Sequence, residues 1–278
     1  MTNLRKTPRA AVGGFTLIEL LTVIAIIAIL AGMLLPTLST VKTKAKITTA
    51  RAEMANFAGA INSYQATYDR MPVSKPSREG TTSFSPDFTF GTVRGPRSSG
   101  TLLNSKGQPL PFIGNLRARA QANNSELVAI LRDRSETAEG NPTVNPAHTY
   151  NPKKVDFLNG FKEVDYLRKP GPAGPALYRG GGIGPDGVWR DPWGSPYIIT
   201  VDLNYDGRCR DGFYRRAAVS QDSGNMGLNG LRRPPGGGAD GFEVAAPAIV
   251  WSLGPDRMAD PNHRANMGVN KDNILSWQ

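Results

Sequence analysis

Residues 13–21 of the chain read GGFTLIELL and place one carboxylate, that of Glu19, inside an apolar segment. The segment runs from Phe15 to Leu35, about 20 residues, which is long enough for a helix that spans the hydrocarbon core of a membrane. A charged side chain in such a helix costs about 2.5–3.5 kcal/mol on insertion scales and usually marks a functional position. Glu19 therefore predicts a partner of opposite charge within the membrane.

The residues before the apolar segment are basic. Arg5, Lys6 and Arg9 are accompanied by no acidic residue, so the positive-inside rule predicts a cytoplasmic N-terminus and a following chain that crosses the membrane. A secretory signal peptide begins in a similar way, but its apolar core is usually shorter and its cleavage site follows that core. Here a glycine pair at 13–14 precedes the core. An ordinary membrane anchor would leave both this pair and Glu19 unexplained.

The residues around the glycine pair resemble the N-terminal segment of type IV prepilin-like proteins, and the matching positions are Gly14, Phe15, Thr16, Leu17, Glu19 and Leu20. The resemblance implies that a prepilin peptidase cleaves after Gly14 and methylates the new N-terminus at Phe15. It also implies that the Glu19 carboxylate of one filament subunit meets the Phe15 ammonium group of its neighbour. A buried charge pair of this kind determines register more than it adds stability.

Pro36 follows the apolar segment and predicts a helix kink, because proline removes one helical hydrogen bond. Beyond it, apolar residues recur at steps of three and four, which is the pattern of an amphipathic helix that buries one face. This apolar stripe consists of Ile47, Ala50, Met54, Phe57, Ile61, Tyr64 and Tyr68. The sequence therefore predicts one long N-terminal helix, with its first half in the membrane and its second half packed on a head.

Glycine and proline predict a head that is rich in loops. The chain has 31 glycines and 22 prolines, and they are concentrated after residue 70. A short capped helix is predicted at residues 124–131, with Ser125 accepting hydrogen bonds from exposed backbone amides. The predicted organisation is a leader peptide at 1–14, a transmembrane half-helix at 15–36, an amphipathic half-helix at 37–70 and a periplasmic head at 71–278, which consists of an insertion at 73–188 and a sheet with a C-terminal loop at 189–278.

Two β-branched segments near the C-terminus, 198–201 and 248–253, predict strands. The first follows the sequence DPWGSPY at residues 191–197, which resembles a motif of the major (G-type) pseudopilin of type II secretion. The sequences SLGPD at 252–256 and DNILSW at 272–277 resemble the C-terminal calcium loop and closing tryptophan of that family. The middle of the chain resembles the enlarged heads of pilin-like proteins of planctomycete and verrucomicrobial type.

The resemblance implies an α+β, type IV pilin-like fold. In such a fold a long N-terminal helix packs on a small antiparallel sheet, and here a large loop-rich insertion would lie between the two. The fold by itself does not define a function.

The pseudopilin resemblance also implies a calcium site in the C-terminal loop. Ca²⁺ takes roughly six to eight oxygen ligands. Asp256 and Asp272 match ligand positions of the family, whereas Asn273 stands where the family usually has a second aspartate. Asp260 and Asn262, in an enlarged loop, could supply further oxygens. Aspartate and asparagine are also common turn residues, so a loop without metal is the alternative.

A second acidic segment contains Asp202, Asn204 and Asp206 and fits the start of an EF-hand loop. Phe213 stands where such a loop requires a bidentate glutamate. We therefore predict a tight turn between strands here, and a weak metal site as the alternative.

The sequence contains no recognisable catalytic constellation. Its two histidines, His148 and His263, have no serine, cysteine or zinc-ligand partner at motif spacing. The formal net charge of +10 permits contact with polyanions, so a DNA-binding pilin of competence type is one alternative, although no alternation of aromatic and basic residues predicts a stacking surface. A membrane-anchored periplasmic enzyme is the other alternative.

The leading prediction is a structural subunit and not an enzyme. The resemblance implies a single-pass pseudopilin of the bacterial inner membrane, with a cytoplasmic N-terminus and a periplasmic head. It would assemble through its N-terminal helix into a type II secretion or type IV pilus-like filament that drives protein export. The implied partners are further copies of the chain, other pseudopilins, the prepilin peptidase, the inner-membrane assembly platform and a secretion ATPase, with Ca²⁺ as a cofactor; nucleic acid is not an expected partner.

Overall fold

A computed structural model describes residues 16–81, 86–91, 93–94, 100–101, 123–168, 177–178 and 180–278. The chain divides into two compact units, Met1–Ala45 and Lys46–Gln278. Gly14 and Phe15, the predicted cleavage and methylation positions, lie outside the described residues.

The described residues contain one long helix and many short elements, as the glycine and proline content predicts. The α-helices are α1 (Leu17–Tyr68), α2 (Lys75–Glu79), α3 (Ser125–Leu131) and α4 (Ala217–Ser220), and short 3₁₀ turns occur at Pro146–His148, Leu228–Gly230 and Gly268–Asn270. The strands are β1 (Phe88–Phe90), β2 (Val93–Arg94), β3 (Gly100–Thr101), β4 (Tyr166–Arg168), β5 (Leu177–Tyr178), β6 (Gly182–Ile183), β7 (Trp189–Arg190), β8 (Ile198–Val201), β9 (Gln221–Ser223), β10 (Met226–Gly227), β11 (Ala248–Ser252) and β12 (Ile274–Leu275).

Helix α1 is 52 residues long and begins in the first unit. Its apolar side chains from Leu17 to Met33 are exposed on every face. A helix that is apolar all round needs an apolar environment, and α1 is long and apolar enough to cross a membrane. The helical backbone continues through Pro36, and the predicted kink at this residue stays a prediction.

The second unit is built around an antiparallel sheet with the strand order β1-β8-β11-β12. In its register, Val201 of β8 lies between Phe88 of β1 and Ala248 of β11. The strands predicted at 198–201 and 248–253 are confirmed as β8 and β11. Together with α1, this sheet confirms the predicted α+β fold and is consistent with a type IV pilin-like fold.

Both faces of the sheet are covered, because side chains alternate between the two faces along each strand. In β8, Ile199 and Val201 join one hydrophobic cluster and Ile198 joins the other. In β11, Val250 joins the first cluster and Trp251 the second. We call the first the helix side, because it contains the α1 stripe, and the second the loop side, which contains Phe213, Tyr214 and Phe242.

The apolar stripe predicted in α1 packs on the helix side of the sheet. Its five central residues are buried, and its ends, Ile47 and Tyr68, are partly buried against the same cluster. The Phe57 ring stacks on Trp189, with ring centroids 4.3 Å apart and planes inclined by 8°. The prediction that this face of the helix is buried is therefore confirmed, because residues spaced by three and four lie on one face of a helix.

The segment predicted as an insertion, residues 73–188, contributes to the same core. It supplies the edge strand β1 of the central sheet, and Phe88 and Phe90 of that strand are fully buried. It also supplies α3, which buries Leu127 and Ile130 in the helix-side cluster. The insertion and the C-terminal segment therefore share one core, although the predicted organisation assigned the sheet to residues 189–278.

Helix α3 confirms the predicted short helix, but its predicted cap is wrong. Asn124 is the N-cap residue and its side chain makes no capping hydrogen bond. Its Nδ2 donates instead to the carbonyl oxygens of Trp189 (2.7 Å) and Tyr197 (2.9 Å), and its Oδ1 accepts from the Trp189 N–H (3.0 Å). Leaving these buried backbone groups without hydrogen bonds would cost more free energy than leaving the helix N-terminus without a side-chain cap, because water can bond the exposed amides of a helix end.

Candidate functional site

Glu19 lies in the first turn of α1 and forms a capping box with Thr16. Its Oε2 accepts hydrogen bonds from the Thr16 backbone N–H (2.8 Å) and hydroxyl (2.7 Å), and the Glu19 N–H donates to Thr16 Oγ1 (3.3 Å). This reciprocal bonding satisfies amides that a helix N-terminus leaves exposed. Sequence reasoning missed it, although the T-x-x-E spacing is a readable signal. The carboxylate thus has an intramolecular partner in the single chain.

The DPWGSPY sequence forms a turn around one buried carboxylate. Asp191 is fully buried, and its Oδ1 accepts from the backbone N–H groups of Trp193 (3.0 Å) and Ser195 (2.9 Å). Its Oδ2 accepts from the hydroxyl of Ser252 (2.6 Å), whose oxygen also accepts from the Gly254 N–H (3.0 Å). The two C-terminal motifs, which the sequence shows only as separate patterns, are therefore joined by a direct hydrogen bond.

Burial makes the stability contribution of Asp191 depend on pH. It raises the pKa of Asp191 from 3.8 to about 6, although hydrogen bonds from Ser252 and from the turn oppose the shift. Because the folded state then binds the proton more tightly than the unfolded state, the contribution of this group is present at low pH and is lost as pH rises from about 4 to about 6. An asparagine at position 191 does not titrate, so the variant Asp191→Asn lacks this dependence of stability on pH.

We expect the unfolding free energy of Asp191→Asn, relative to the wild type, to rise by roughly 3 kcal/mol between about pH 4 and pH 7. Denaturant titrations at several pH values measure this difference. The same substitution at the exposed residue Asp165 is the control for the loss of a carboxyl group at the surface. A relative stability of Asp191→Asn that falls with pH would mean that the buried carboxylate stabilises the fold in its charged form.

A second buried carboxylate, Asp211, organises the loop side of the sheet. Its Oδ1 accepts from the N–H groups of Phe213 and Tyr214, each at 2.8 Å. Its Oδ2 accepts from the hydroxyl of Thr200 (2.7 Å) and from the indole N–H of Trp251 (3.1 Å). Asp211 thereby ties a loop to β8 and β11. No sequence pattern indicates this role, because Thr200 and Trp251 are brought to Asp211 only by the pairing of β8 with β11.

The predicted calcium positions Asp256 and Asp272 come together in the C-terminal loop. The Asp256 N–H donates to Asp272 Oδ2 at 3.3 Å. Gly254 makes the approach possible, since its φ is +67° and a Cβ atom there would lie 2.2 Å from the Asp272 carbonyl oxygen. Burial raises the pKa of both carboxyl groups.

The donor atoms of this loop suit a hard cation. Asp272 Oδ1 and Asn273 Oδ1 are buried and accept no hydrogen bond, whereas Asn273 Nδ2 donates to the Tyr214 hydroxyl (2.9 Å). In the described part of the chain, no three His, Cys, Asp or Glu side chains are grouped so as to hold a metal ion. A cation here would therefore need amide and backbone oxygens beside the two carboxylates.

The further ligands proposed for that site bond within their own loop. Asp260 Oδ1 accepts from the Asn262 N–H (2.9 Å), and Asp260 Oδ2 lies 3.2 Å from His263 Nδ1. The Asp260 N–H donates to Asn270 Oδ1 (2.8 Å). These contacts give Asp260 and Asn262 a structural role that needs no metal.

The segment at Asp202 is a turn held by its own side chains. Asp202 accepts from the N–H groups of Tyr205 (2.6 Å) and Gly207 (2.8 Å). Asn204 Nδ2 donates to Asp206 Oδ2 (2.8 Å). These bonds support the predicted turn, and the weak metal site at the same residues stays a prediction.

The two histidines and the cysteine, which are residue types that often serve as bases or nucleophiles, make contacts that stabilise the fold. His148 Nδ1 lies 2.7 Å from Asp133 Oδ2, and His263 pairs with Asp260. Neither pair includes a serine or cysteine. Burial raises the pKa of the Cys209 thiol well above its ordinary value, which makes the single cysteine of the chain a poor nucleophile.

Residues 9–35 match the family model of the prokaryotic N-terminal methylation motif. The matched segment contains the glycine pair, Phe15 and Glu19 and ends where the apolar segment ends. The motif indicates a type IV pilin-like substrate of prepilin peptidase, which confirms the predicted prepilin-like character of the N-terminus. No curated protein and no solved structure matches the chain.

Proposed function

We propose that the chain is a structural pseudopilin of a type II secretion or type IV pilus-like filament that drives protein export. The observation that carries this proposal is the methylation motif at residues 9–35, which includes the first part of α1. Proteins with this motif are structural rather than enzymatic. Helix α1 adds an exposed apolar segment for assembly, and its buried stripe adds a firm attachment to the head.

Assembly would exchange one partner of Glu19 for another. In the single chain, the Glu19 carboxylate is held by Thr16 at 2.8 Å and 2.7 Å, and these bonds lessen the cost of placing the carboxylate in a membrane. After cleavage behind Gly14, the new ammonium group of Phe15 on a neighbouring subunit would pair with Glu19. Because an unpaired charge in lipid is costly, only the correct stagger of two helices satisfies both groups.

The proposed topology follows from the basic leader and from α1. The N-terminus would remain in the cytoplasm, α1 would cross the inner membrane once, and the head would lie in the periplasm. Other pseudopilins and an inner-membrane assembly platform would receive the subunit from the membrane. A separate secretion ATPase would supply the energy.

Replacing Gly14 with leucine should leave the leader attached. A bulky side chain directly before the cleaved bond would obstruct the peptidase, so mass spectrometry of chain isolated from its own cells should find an N-terminus at Met1 or Thr2. Gly13→Leu, one residue further from the cleaved bond, is the matched control and should still be processed to Phe15. Processing of the Gly14 variant at Phe15 would contradict prepilin-type cleavage at this site.

Calcium is the proposed cofactor of the C-terminal loop, held by Asp256 and Asp272 with Asn273 Oδ1 and backbone carbonyls. A cation that binds only the folded state stabilises it by mass action. Millimolar Ca²⁺ should therefore raise the melting temperature of the head, and a chelator should lower it. Asp256→Ala should abolish this dependence, because affinity for a hard cation rises with the number of charged oxygens.

The control for the calcium experiment is Glu79→Ala, which removes an exposed carboxylate at the end of α2, away from both acidic turns. It should leave the calcium dependence of the melting temperature unchanged. A wild-type head whose melting is the same in Ca²⁺ and in chelator, with no binding by calorimetry, would show that Asp256 and Asp272 are turn residues.

A further inference from the structure

A groove with a volume of about 990 Å³ opens beside α3 on the helix side of the head. Val128 and Ile183 belong both to its wall and to the helix-side cluster. Six acidic residues but only two arginines line it among the described residues. We call this surface the acidic groove; its acidic residues are Glu126, Glu136, Glu139, Glu163, Asp165 and Asp186.

The acidic groove keeps a negative charge after its internal ion pairs are considered. Arg132 lies 2.6 Å from Glu163, and Asp186 lies 2.6 Å from Arg190 in a buried pair. Glu136 and Asp165 are exposed to solvent. The groove thus offers accessible carboxylates to a positively charged partner.

A positively charged surface lies among the extended segments of the loop side. Arg208 and Arg210 bond Glu243 at 3.3 Å and 3.1 Å, and Arg232 is the partner of Glu243 in an antiparallel bridge. This part of the surface therefore carries three arginines and the one carboxylate of Glu243. We call this surface the basic face. Residues next to its members along the chain point the other way, into the loop-side cluster, and these are Cys209, Leu231, Phe242 and Val244.

The acidic groove and the basic face lie on opposite sides of the central sheet. The groove is built on the helix-side cluster and the basic face on the loop-side cluster, and strands β8 and β11 separate the two. Two different complementary surfaces on one chain form a heterologous contact, which propagates from copy to copy instead of closing as a twofold dimer. The partner that fits both surfaces is therefore a second copy of this chain.

We propose that the basic face of one head docks into the acidic groove of the next copy. The proposal rests on the proposed filament function and adds a second contact, between heads, to the contact between N-terminal helices. Opposite charges at such a contact determine register and exclude wrong partners, because like charges placed together are strongly unfavourable. The head contact would fix the order of subunits outside the membrane.

Reciprocal charge reversal in the full chain, expressed in its own cells, tests the docking. The groove variant carries Glu136→Arg and Asp165→Arg, and the face variant carries Arg208→Glu and Arg232→Glu. Each should reduce sedimentable assemblies by about tenfold, a change that corresponds to a modest loss of contact free energy. Combining both sets in one chain restores opposite charges and should restore assembly, which a variant that merely failed to fold would not do.

Cross-linking supplies an independent readout. A full chain with Asp165→Cys and Arg232→Cys should give a ladder of multimers on oxidation, whereas Cys209 is buried and should not contribute. The control reversals Lys75→Glu and Glu79→Arg, at an exposed ion pair outside both surfaces, should leave assembly unchanged.

Several results would overturn the docking. Normal assembly of the groove and face variants, or a defect that their combination does not restore, would exclude it and leave the filament function standing. Cross-linking of Asp165→Cys to a different protein, and not to another copy, would assign the groove to another basic partner. A wild-type chain that forms no assemblies at all would overturn the filament function and the docking together.

Discussion

Replacing Glu19 with alanine is expected to leave leader cleavage intact and to abolish filament assembly. The bond proposed for cleavage lies before Phe15 and does not involve this side chain. In the proposed filament, the Glu19 carboxylate would meet the ammonium group of a neighbouring subunit, and without it that charge would stay unpaired in the membrane. Mass spectrometry of the N-terminus and sedimentation of filaments measure the two outcomes separately.

Glu19→Gln is the informative control, because it separates the charge from the capping box. Glutamine can accept the same hydrogen bonds from Thr16 and so preserves the helix N-terminus, but it carries no charge. We expect Glu19→Gln to assemble as poorly as Glu19→Ala. Normal filaments from the glutamine variant would show that the capping hydrogen bonds matter and the intersubunit charge pair does not.

Replacing Phe57 with alanine is expected to cost roughly 3–5 kcal/mol of unfolding free energy, because it opens a cavity in a packed core. Phe57 is fully buried, stacks on Trp189 at 4.3 Å and meets the edge of Phe161 at 6.0 Å. In a soluble fragment that begins at Thr37, the melting temperature should fall by roughly 6–20 °C. Thermal melts of that fragment measure the effect.

Asn56→Ala is the matched control for the Phe57 variant, since Asn56 is the preceding residue of α1 and is exposed. A substitution at such a position usually changes stability by less than about 0.5 kcal/mol. An unchanged melting temperature for Phe57→Ala would show that the stripe does not pack on the head in solution.

The helix stripe and two of the strands were predicted correctly, because each is encoded by residues that are close together in the sequence. The stripe of α1 follows from a repeat of three and four residues, and the strands β8 and β11 follow from runs of β-branched residues. The pairing of β1 with β8 joins segments more than a hundred residues apart, with Phe88 opposite Val201. No periodic pattern encodes that pairing, so the position of this strand in the sheet could not be predicted.

The candidate sites were predictable to different extents. Glu19 could be singled out because a carboxylate in an apolar segment is anomalous. Its capping box with Thr16 was not predicted, although the T-x-x-E spacing is typical of one. Asp191, Asp211 and Asn124 were not predicted as organisers of the core. Each bonds groups that the fold brings together from distant positions, and a polar residue in a loop gives no sequence signal of its future burial.

The mature N-terminus of the chain, isolated from the membranes of its own cells, tests the prepilin assignment most directly. Mass spectrometry should find Phe15 as the first residue, carrying an N-methyl group, with Glu19 four residues further on. An N-terminus at Met1 or Thr2 would show that the leader is retained, and one beyond Leu35 would show cleavage of an ordinary signal peptide. Either of these results would contradict assembly through an N-methylated α1.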